Sequence, residues 1–195
     1  MKQSISKPPE ASSPHSFGNK LSRLLWGFAY VLAFRWTPRC MHGWRNFLLR
    51  LFGAKIHRTS RVYPKARVWL PGNLIMGPYA CLGDDSNCYN VATITIGGWA
   101  TVSQFAYLCG ATHDSESVAF TLIPKPITIG ERAWIAADVY VAPGVTIGAG
   151  TVVGARSSVF KDLPPWQICV GSPARPIRAR GVSADDYQES ADSPS

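Results

Sequence analysis

Aliphatic residues recur at every sixth position through most of the chain. The longest unbroken series runs from Ile129 to Val159, and shorter series begin at Ile56, Met76 and Ile96. An α-helix has 3.6 residues per turn and cannot keep a period of six on one face, whereas a short strand followed by a tight corner can. The pattern therefore predicts one short strand in each six-residue unit, with one aliphatic side chain directed inward.

Short strands of this kind are stable only when neighbouring units stack on one another. The residue after each inward position is mostly small, as at Gly130, Ala136 and Gly148, and a small residue suits a corner. We therefore expect an all-β fold over about residues 56–180. Coils of three strands would stack into a prism, a parallel β-helix, around a column of Ile, Val and Leu.

The preceding segment, residues 18–55, has a different pattern. Leu24–Phe34 is an uninterrupted run of apolar or small residues between two arginines. Thr37-Pro38 is typical of a helix start, and Gly53 of a helix end. The apolar run is shorter than the ~20 residues that a membrane-spanning helix needs. The sequence predicts two short helices here.

The net charge of +8 is concentrated in the same segment. Residues 18–55 contain seven Lys or Arg and no acidic residue, while residues 56–195 contain eleven of each sign. Cationic flanks with Trp26, Trp36 and Trp44 suit a hairpin that lies in the headgroup layer of a membrane. An equally good interpretation is a helical cap over the end of the β-helix, because such a cap also needs an apolar face.

The charge distribution and the cysteines also bear on partners and location. Nucleic-acid binding requires a basic face across a whole domain, so we expect no nucleic-acid partner. The five cysteines form no C-x-x-C pair, which predicts neither a disulfide framework nor a zinc site and favours a cytoplasmic location. Residues 1–17 carry no secretory signal pattern, and both they and the acidic tail, 181–195, are predicted to be disordered.

The six-residue repeat resembles the hexapeptide-repeat family of left-handed β-helix proteins. Further motifs are similar to those of the maltose and galactoside O-acetyltransferases: Ala111–Asp114, Lys125–Gly130, Ala142–Gly148, Lys161–Pro164 and Gly171–Arg175. The basic aromatic N-terminal segment, with Cys81–Asp85 and Val102–Cys109, is closer still to the colanic acid biosynthesis acetyltransferases.

This resemblance implies an acetyl-CoA-dependent enzyme that acetylates a sugar hydroxyl, in exopolysaccharide biosynthesis. It implies a homotrimer with active sites between subunits, a sugar or lipid-linked oligosaccharide as acceptor, and no metal. If the basic segment contacts lipid, the enzyme would lie at the inner face of the cytoplasmic membrane.

The resemblance assigns the role of general base to His113. A hydroxyl is a poor nucleophile until its proton leaves, and neutral imidazole, which ordinarily titrates near pKa ~6.5, suits that task. Attack would proceed directly within a ternary complex, and backbone N–H groups at a coil edge would stabilise the oxyanion. Outside this motif, a single histidine in a loop is more often a solvated residue.

Polar residues near His113 and upstream of it are candidates for acceptor binding. Family members carry an orienting polar residue upstream, which corresponds here to Asp84, Asp85 or Asn87. Asp114 follows the histidine and could contact the acceptor. For all of these, a polar turn between strands is an equally good interpretation.

The family binds coenzyme A in a groove between coils near the C-terminal end. By resemblance, the corresponding residues are Trp134, Ala137, Ala155, Lys161 and Arg175. Lysine and arginine suit phosphates as a point charge and as a forked donor, respectively. Phe160 stands where the sugar acetyltransferases have a hydroxyl residue, so one polar contact is expected to be missing.

Other functions fit the sequence less well. A nucleophilic Cys109 is not needed when attack is direct. A γ-type carbonic anhydrase requires three zinc-binding histidines, and only His57 and His113 lie in the repeat region. A non-catalytic scaffold would explain the repeat but not the motif at His113. An acyltransferase with a non-sugar acceptor stays open.

Overall fold

The computed structural model describes residues 17–182 and Asp186. The predicted disordered leader, 1–17, and tail, 181–195, lie almost entirely outside these residues. Within them, the chain consists of a parallel β-helix preceded by a short helical segment, as the sequence predicted.

Three parallel sheets form the sides of the prism. Sheet A contains β1 (Lys55–Ile56), β4 (Leu74–Met76), β7 (Ile94–Ile96), β12 (Ile127–Ile129) and β15 (Thr146–Ile147). Sheet B contains β2 (Arg61–Val62), β5 (Cys81–Leu82), β8 (Thr101–Val102), β13 (Trp134–Ile135), β16 (Val152–Val153), β18 (Gln167–Gly171) and the antiparallel β19 (Ala174–Ala179). Sheet C contains β3 (Arg67–Val68), β6 (Asn87–Tyr89), β9 (Tyr107–Cys109), β14 (Tyr140–Val141) and β17 (Ser158–Val159).

The chain passes from sheet A to B to C in each coil, which gives five complete coils and a partial sixth. A 3₁₀ turn, Pro71–Asn73, joins the first coil to the second. Two strands leave the prism as an antiparallel hairpin between the third and fourth coils: β10 (Ala111–His113) and β11 (Leu122–Pro124). This hairpin interrupts the six-residue repeat where the sequence pattern breaks.

The interior is the predicted aliphatic column. Every residue of the six-residue series is buried, from Ile56 to Val159. Within the series Ile129–Val159 the residue two positions earlier is buried as well, as in the pairs Ile127 with Ile129 and Ala133 with Ile135. Each unit of the series Ile129–Val159 therefore directs two side chains inward rather than the single one predicted, because both flank one outward position of the same strand.

The corners bring backbones of successive coils into direct contact. At Gly148 a Cβ atom would lie 2.4 Å from the backbone nitrogen of Pro165, so only glycine fits. Most corners between sheets B and C contain a non-glycine residue in the left-handed region, including Asp85 (φ 56°) and Asp138 (φ 59°). Aspartate tolerates the left-handed conformation better than most other non-glycine residues.

The segment 18–55 covers the first coil. It consists of α1 (Phe17–Ala29), a π-helical turn (Tyr30–Phe34) and α2 (His42–Leu51). The second helix thus begins at His42 and not at Thr37-Pro38, where the chain forms a turn instead. Phe34 and Leu49 are fully buried against the core, which supports the cap interpretation.

Trp26, which was expected in a headgroup layer, belongs instead to the core, and so does Arg45, one of the seven cations of the segment. Trp26 is buried, and its indole N–H donates to the carbonyl of Val68 at 2.7 Å. Arg45 is fully buried, and its guanidinium donates to backbone carbonyls that include Val62 and Pro38. A buried cation needs such partners, so this arginine holds the helical cap on the β-helix.

Candidate active site

His113 lies at the end of β10, on the hairpin that projects from the edge between sheets C and A. Two backbone hydrogen bonds hold the base of the hairpin: the Gly110 N–H donates to the carbonyl of Tyr89, and the Lys125 N–H donates to the carbonyl of Gly110. The histidine side chain is exposed. It is therefore accessible to a substrate, as a general base must be.

A backbone contact orients the imidazole of His113. Its Nδ1 atom lies 2.5 Å from the carbonyl oxygen of Phe120, on the other arm of the hairpin. A carbonyl oxygen only accepts hydrogen bonds, so Nδ1 carries a proton, and the neutral form of the ring then has its lone pair at Nε2. Phe120 was not predicted as part of the site, because a backbone acceptor leaves no signal in residue type.

Two of the candidate carboxylates hold turns in place. Asp84 accepts from the Arg39 guanidinium at 2.8 Å and from the Lys65 N–H at 3.1 Å. Asp114 Oδ1 accepts from the N–H of Glu116 at 3.0 Å, as in the turn chemistry of an Asx residue. These contacts favour the turn interpretation for both residues.

The other acceptor candidates occupy two different places. Asp85 lies at the corner after β5 with a left-handed backbone. Asn87 lies in β6 on the outer face of sheet C, between Arg67 and Tyr107 of the neighbouring strands. Of the predicted acceptor residues, Asn87 is the one that faces outward on a regular sheet surface.

The coenzyme A candidates are spread over sheet B and its borders. Trp134 lies in β13, half exposed, and its indole N–H donates to the Ser103 hydroxyl at 3.0 Å. Ala137 and Ala155 stack at the edge between sheets B and C, where the Arg156 N–H donates to the Ala137 carbonyl. Lys161 and Arg175 are exposed, the first after β17 and the second in β19.

Within one chain these residues do not form one site. His113 and Lys161 share the edge between sheets C and A, while Ala137 and Ala155 lie on the edge between B and C. The two edges are separated by the whole width of sheet C, about six residues or at most roughly 20 Å of extended chain. A ligand that contacts both edges must span this face or bind between two copies of the chain.

A row of aromatic rings covers the outer face of sheet C and was not predicted. Adjacent rings lie 5.1–6.5 Å apart along the series Trp69, Tyr89, Tyr107, Tyr140 and Phe160. Each of these residues directly precedes or follows the inward residue of its strand, which is the sequence signal that could have revealed the row. Burial and contact with Cys109 raise the pKa of both Tyr107 and Tyr140 to about 12, so both phenols stay neutral.

Two alternative chemistries gain no support from the structure. The Cys109 thiol donates to the carbonyl of Ala111 at 3.2 Å and is half-buried. Between residues 17 and 182, no group of three or more His, Cys, Asp or Glu side chains is placed to hold a metal ion. His57, on the first coil, instead contacts the hydroxyl of Thr59.

Comparison with known proteins identifies the family. Residues 126–161 match the family model described as bacterial transferase hexapeptide (six repeats). The chain is 50% identical over 171 residues to the “Putative colanic acid biosynthesis acetyltransferase WcaF” of Escherichia coli (strain K12). The aligned region covers 87% of this chain and 94% of the relative.

Solved structures show the same fold. A hexapeptide-repeat acetyltransferase of Vibrio cholerae O1 biovar eltor, in complex with acetyl coenzyme A, has a TM-score of 0.76 and 27% identity, covering 87% of this chain and 93% of that one. A galactoside acetyltransferase in complex with coenzyme A has a TM-score of 0.75 and 28% identity, covering 90% and 88%. The repeat, the hairpin and these similarities together show that the chain belongs to the hexapeptide-repeat acetyltransferases and is an acyltransferase.

Proposed function

We propose that the protein transfers the acetyl group of acetyl-CoA to a sugar hydroxyl, in the synthesis of an exopolysaccharide, with His113 as the general base. The observation that carries this proposal is the contact between His113 Nδ1 and the Phe120 carbonyl, which leaves Nε2 free. The relative from Escherichia coli, named for colanic acid biosynthesis, supports a saccharide acceptor.

The reaction follows from this arrangement. The acceptor hydroxyl attacks the thioester carbonyl carbon while His113 Nε2 takes its proton, which gives a tetrahedral intermediate. The C–S bond then breaks, the ester forms, and the imidazolium returns the proton to the departing coenzyme A sulfur. No covalent acyl-enzyme is formed, and the chemistry calls for no metal.

The test is release of free thiol from acetyl-CoA over a panel of sugars, lipid-linked sugars and non-sugar alcohols. We expect His113→Ala to lower kcat by about 100-fold or more, the usual contribution of a general base. The matched control is His57→Ala, an exposed histidine on the first coil, which should retain full activity. Equal rates for wild type and His113→Ala would refute the role of His113, and transfer to the non-sugar alcohols alone would refute the sugar acceptor.

We propose further that Trp134, Ala137, Ala155, Lys161 and Arg175 bind coenzyme A. Lys161 and Arg175 are exposed cations, the first after β17 and the second in β19, and both are suited to the phosphates. Lys161→Ala and Arg175→Ala should each raise the KM for acetyl-CoA several-fold and leave the KM for the sugar unchanged. Arg178→Ala, in the same strand as Arg175, is the control, and an equal effect of this variant would contradict a specific site.

The functional unit is proposed to be a homotrimer with the active site between copies. The separation of His113 from the Ala137–Ala155 edge supports this assembly, because a second chain brings a new edge against the hairpin. The hairpin tip is also apolar and exposed at Val118 and Phe120, as expected of a segment that contacts another chain.

The outer face of the helical segment 18–55 is proposed to bind the surface of an anionic membrane on its cytoplasmic side. This face exposes a group of large apolar side chains: Leu21, Leu25, Phe28, Val31, Leu32, Trp36, Trp44, Phe47 and Leu51. The segment contains no acidic residue, so the charge around this face matches anionic lipid. No helix among residues 17–182 is long and apolar enough to cross a bilayer.

Sedimentation with vesicles, with and without phosphatidylglycerol, tests this surface. Binding should require the anionic lipid and weaken at least several-fold in Leu32→Glu and Trp36→Glu, but not in Ile177→Glu, an exposed apolar residue of the β-helix. A change in oligomeric mass without any loss of vesicle binding would identify the face as a protein interface instead. Preference for duplex DNA over vesicles at matched salt would also contradict the proposal.

A further inference from the structure

A groove of about 610 Å³ lies between α1 and the outer face of sheet C, at the start of the aromatic row. Its lining joins two kinds of residue. Aromatic and apolar side chains form one part, and the cations Lys20, Arg23 and Arg67 form another. The lining residues, all within the described part of the chain, include no Asp or Glu. We call this the cation–aromatic groove.

The cations of this groove form no ion pair with a carboxylate in the part of the chain that the structure describes. The two ion pairs found there, Arg39 with Asp84 and Arg156 with Asp138, involve none of them. The Arg23 guanidinium lies 3.8 Å above the ring of Trp69. Arginine held flat on an aromatic ring keeps its N–H edge available for a carboxylate or phosphate.

The aromatic part of the groove suits a sugar ring. Trp69 and Tyr89 pack edge to face with ring centroids 5.1 Å apart, and Asn87 lies beside them. The apolar C–H face of a saccharide packs against such rings, while an amide side chain hydrogen-bonds its hydroxyl groups.

The groove is connected to the hairpin that carries His113. The carbonyl of Tyr89 accepts from the Gly110 N–H at 2.8 Å, directly before β10. Three residues of extended chain from Gly110 to His113 span at most about 11 Å. A saccharide that occupies the groove therefore lies next to the base of the catalytic hairpin.

From these contacts we infer that the acceptor is an acidic saccharide, whose carboxylate or phosphate binds Arg23, Arg67 and Lys20 while its ring packs on Trp69 and Tyr89. This inference rests on the proposed sugar acceptor and adds that this sugar carries a negative charge. The negative charge could come from a uronic acid or from a sugar phosphate, and the same site chemistry serves both.

The experiment compares three monosaccharides that differ at one carbon: glucose, glucuronate and glucose 6-phosphate. Binding to the full-length protein is measured by ligand-observed NMR without acetyl-CoA, so the result is independent of catalysis. We expect at least one charged sugar to bind about tenfold more tightly than glucose at low salt, and the better of the two identifies the source of the charge. Equal affinity for all three would overturn the inference, even if thiol release shows that the enzyme acetylates sugars.

Variants localise the effect. Arg23→Gln and Arg67→Gln should each weaken the charged sugar several-fold and leave glucose unchanged, while Arg58→Gln, an exposed arginine outside the groove, should change neither. Inorganic phosphate that binds as tightly as glucose 6-phosphate would refute the saccharide part.

Discussion

Asp84 accepts a hydrogen bond from Arg39 at 2.8 Å and so links the helical cap to the corner of the second coil. Its other oxygen accepts from the Lys65 N–H of the first coil. The carboxylate is largely shielded, with 14% of the side chain exposed, whereas Arg39 is 76% exposed. The contact thus joins three parts of the chain, and its geometry explains why an acidic residue stands at this corner.

Replacing Asp84 should therefore reduce stability rather than substrate binding. Asp84→Asn should lower the free energy of unfolding by about 0.5–1.5 kcal/mol, because it removes one charge-assisted hydrogen bond of a half-exposed pair. Arg39→Gln should have a similar effect, and neither should change the KM for the acceptor. Urea unfolding and acceptor kinetics check both. A rise in KM for Asp84→Asn alone would restore its role in acceptor binding.

The contrast between Asp84 and the six-residue series shows what the sequence could reveal. Inward positions such as Ile135 repeat because every coil needs an apolar side chain at the equivalent position. The β-helix and its core were therefore predictable from the sequence. The role of Asp84 depends on Arg39, a residue 45 positions earlier, and no local pattern reports such a pairing. Local sequence patterns also do not reveal the role of Phe120, whose backbone carbonyl contacts His113, or that of Arg45, whose guanidinium is buried.

Arg45 should be the arginine most important for stability. It is fully buried and donates to several backbone carbonyls and to the hydroxyl of Thr37. Arg45→Met should cost about 3 kcal/mol or more, since the carbonyls lose their donors in a buried place. Urea unfolding of this variant beside Arg58→Met, an exposed arginine, makes the comparison. Equal stability of the two variants would show that the guanidinium contributes nothing to the cap.

His42 should make the stability of the cap depend on pH. Burial lowers the pKa of His42 from its usual value of 6.5; the hydrogen bond to the Val62 carbonyl and the charge of Asp84 oppose this shift, while the positive charges of Arg45 and Arg61 act in the same direction. The unfolded chain therefore binds the proton more readily than the folded one. The contribution of neutral His42 to the free energy of unfolding is complete above about pH 6.5 and is lost as the pH falls towards the lowered pKa. The urea concentration at the midpoint of unfolding should decrease as the pH is lowered from about 7 to about 5, and it should decrease less in His42→Gln. Parallel pH dependence of both proteins would contradict the assignment.

Gly148 should tolerate no side chain. A Cβ atom there would lie 2.4 Å from the nitrogen of Pro165 and 2.8 Å from the carbonyl carbon of Pro164, and both contacts are with backbone. Gly148→Ala should destabilise the C-terminal coils by about 1–3 kcal/mol, as overpacking does. Gly43→Ala is the control, because a Cβ at that helical position meets nothing within 4 Å and alanine favours the helix. A Gly148→Ala protein that unfolds like wild type would mean that the coils can separate without cost.

Mixing two inactive variants should restore activity if the active site lies between chains. His113→Ala removes the proposed base, and Ala155→Trp fills the proposed coenzyme A groove on the other edge. In trimers assembled from equal amounts of both, a site between two chains is intact when the Ala155→Trp chain supplies His113 to the groove of a His113→Ala chain. With random assembly this occurs at about a quarter of the sites, so about a quarter of the wild-type rate should return.

A site within one chain would behave differently, because every chain in the mixture carries one defect and the rate would stay at the level of the separate variants. Joint unfolding and refolding of the two proteins, followed by thiol release with acetyl-CoA, makes the measurement. The control mixes His113→Ala with Lys161→Ala/His113→Ala, in which no intact base is present and no activity should return. A rate of about a quarter of the wild-type rate would show that the reaction takes place between copies of the chain, since His113 and Ala155 lie on different edges of a single prism.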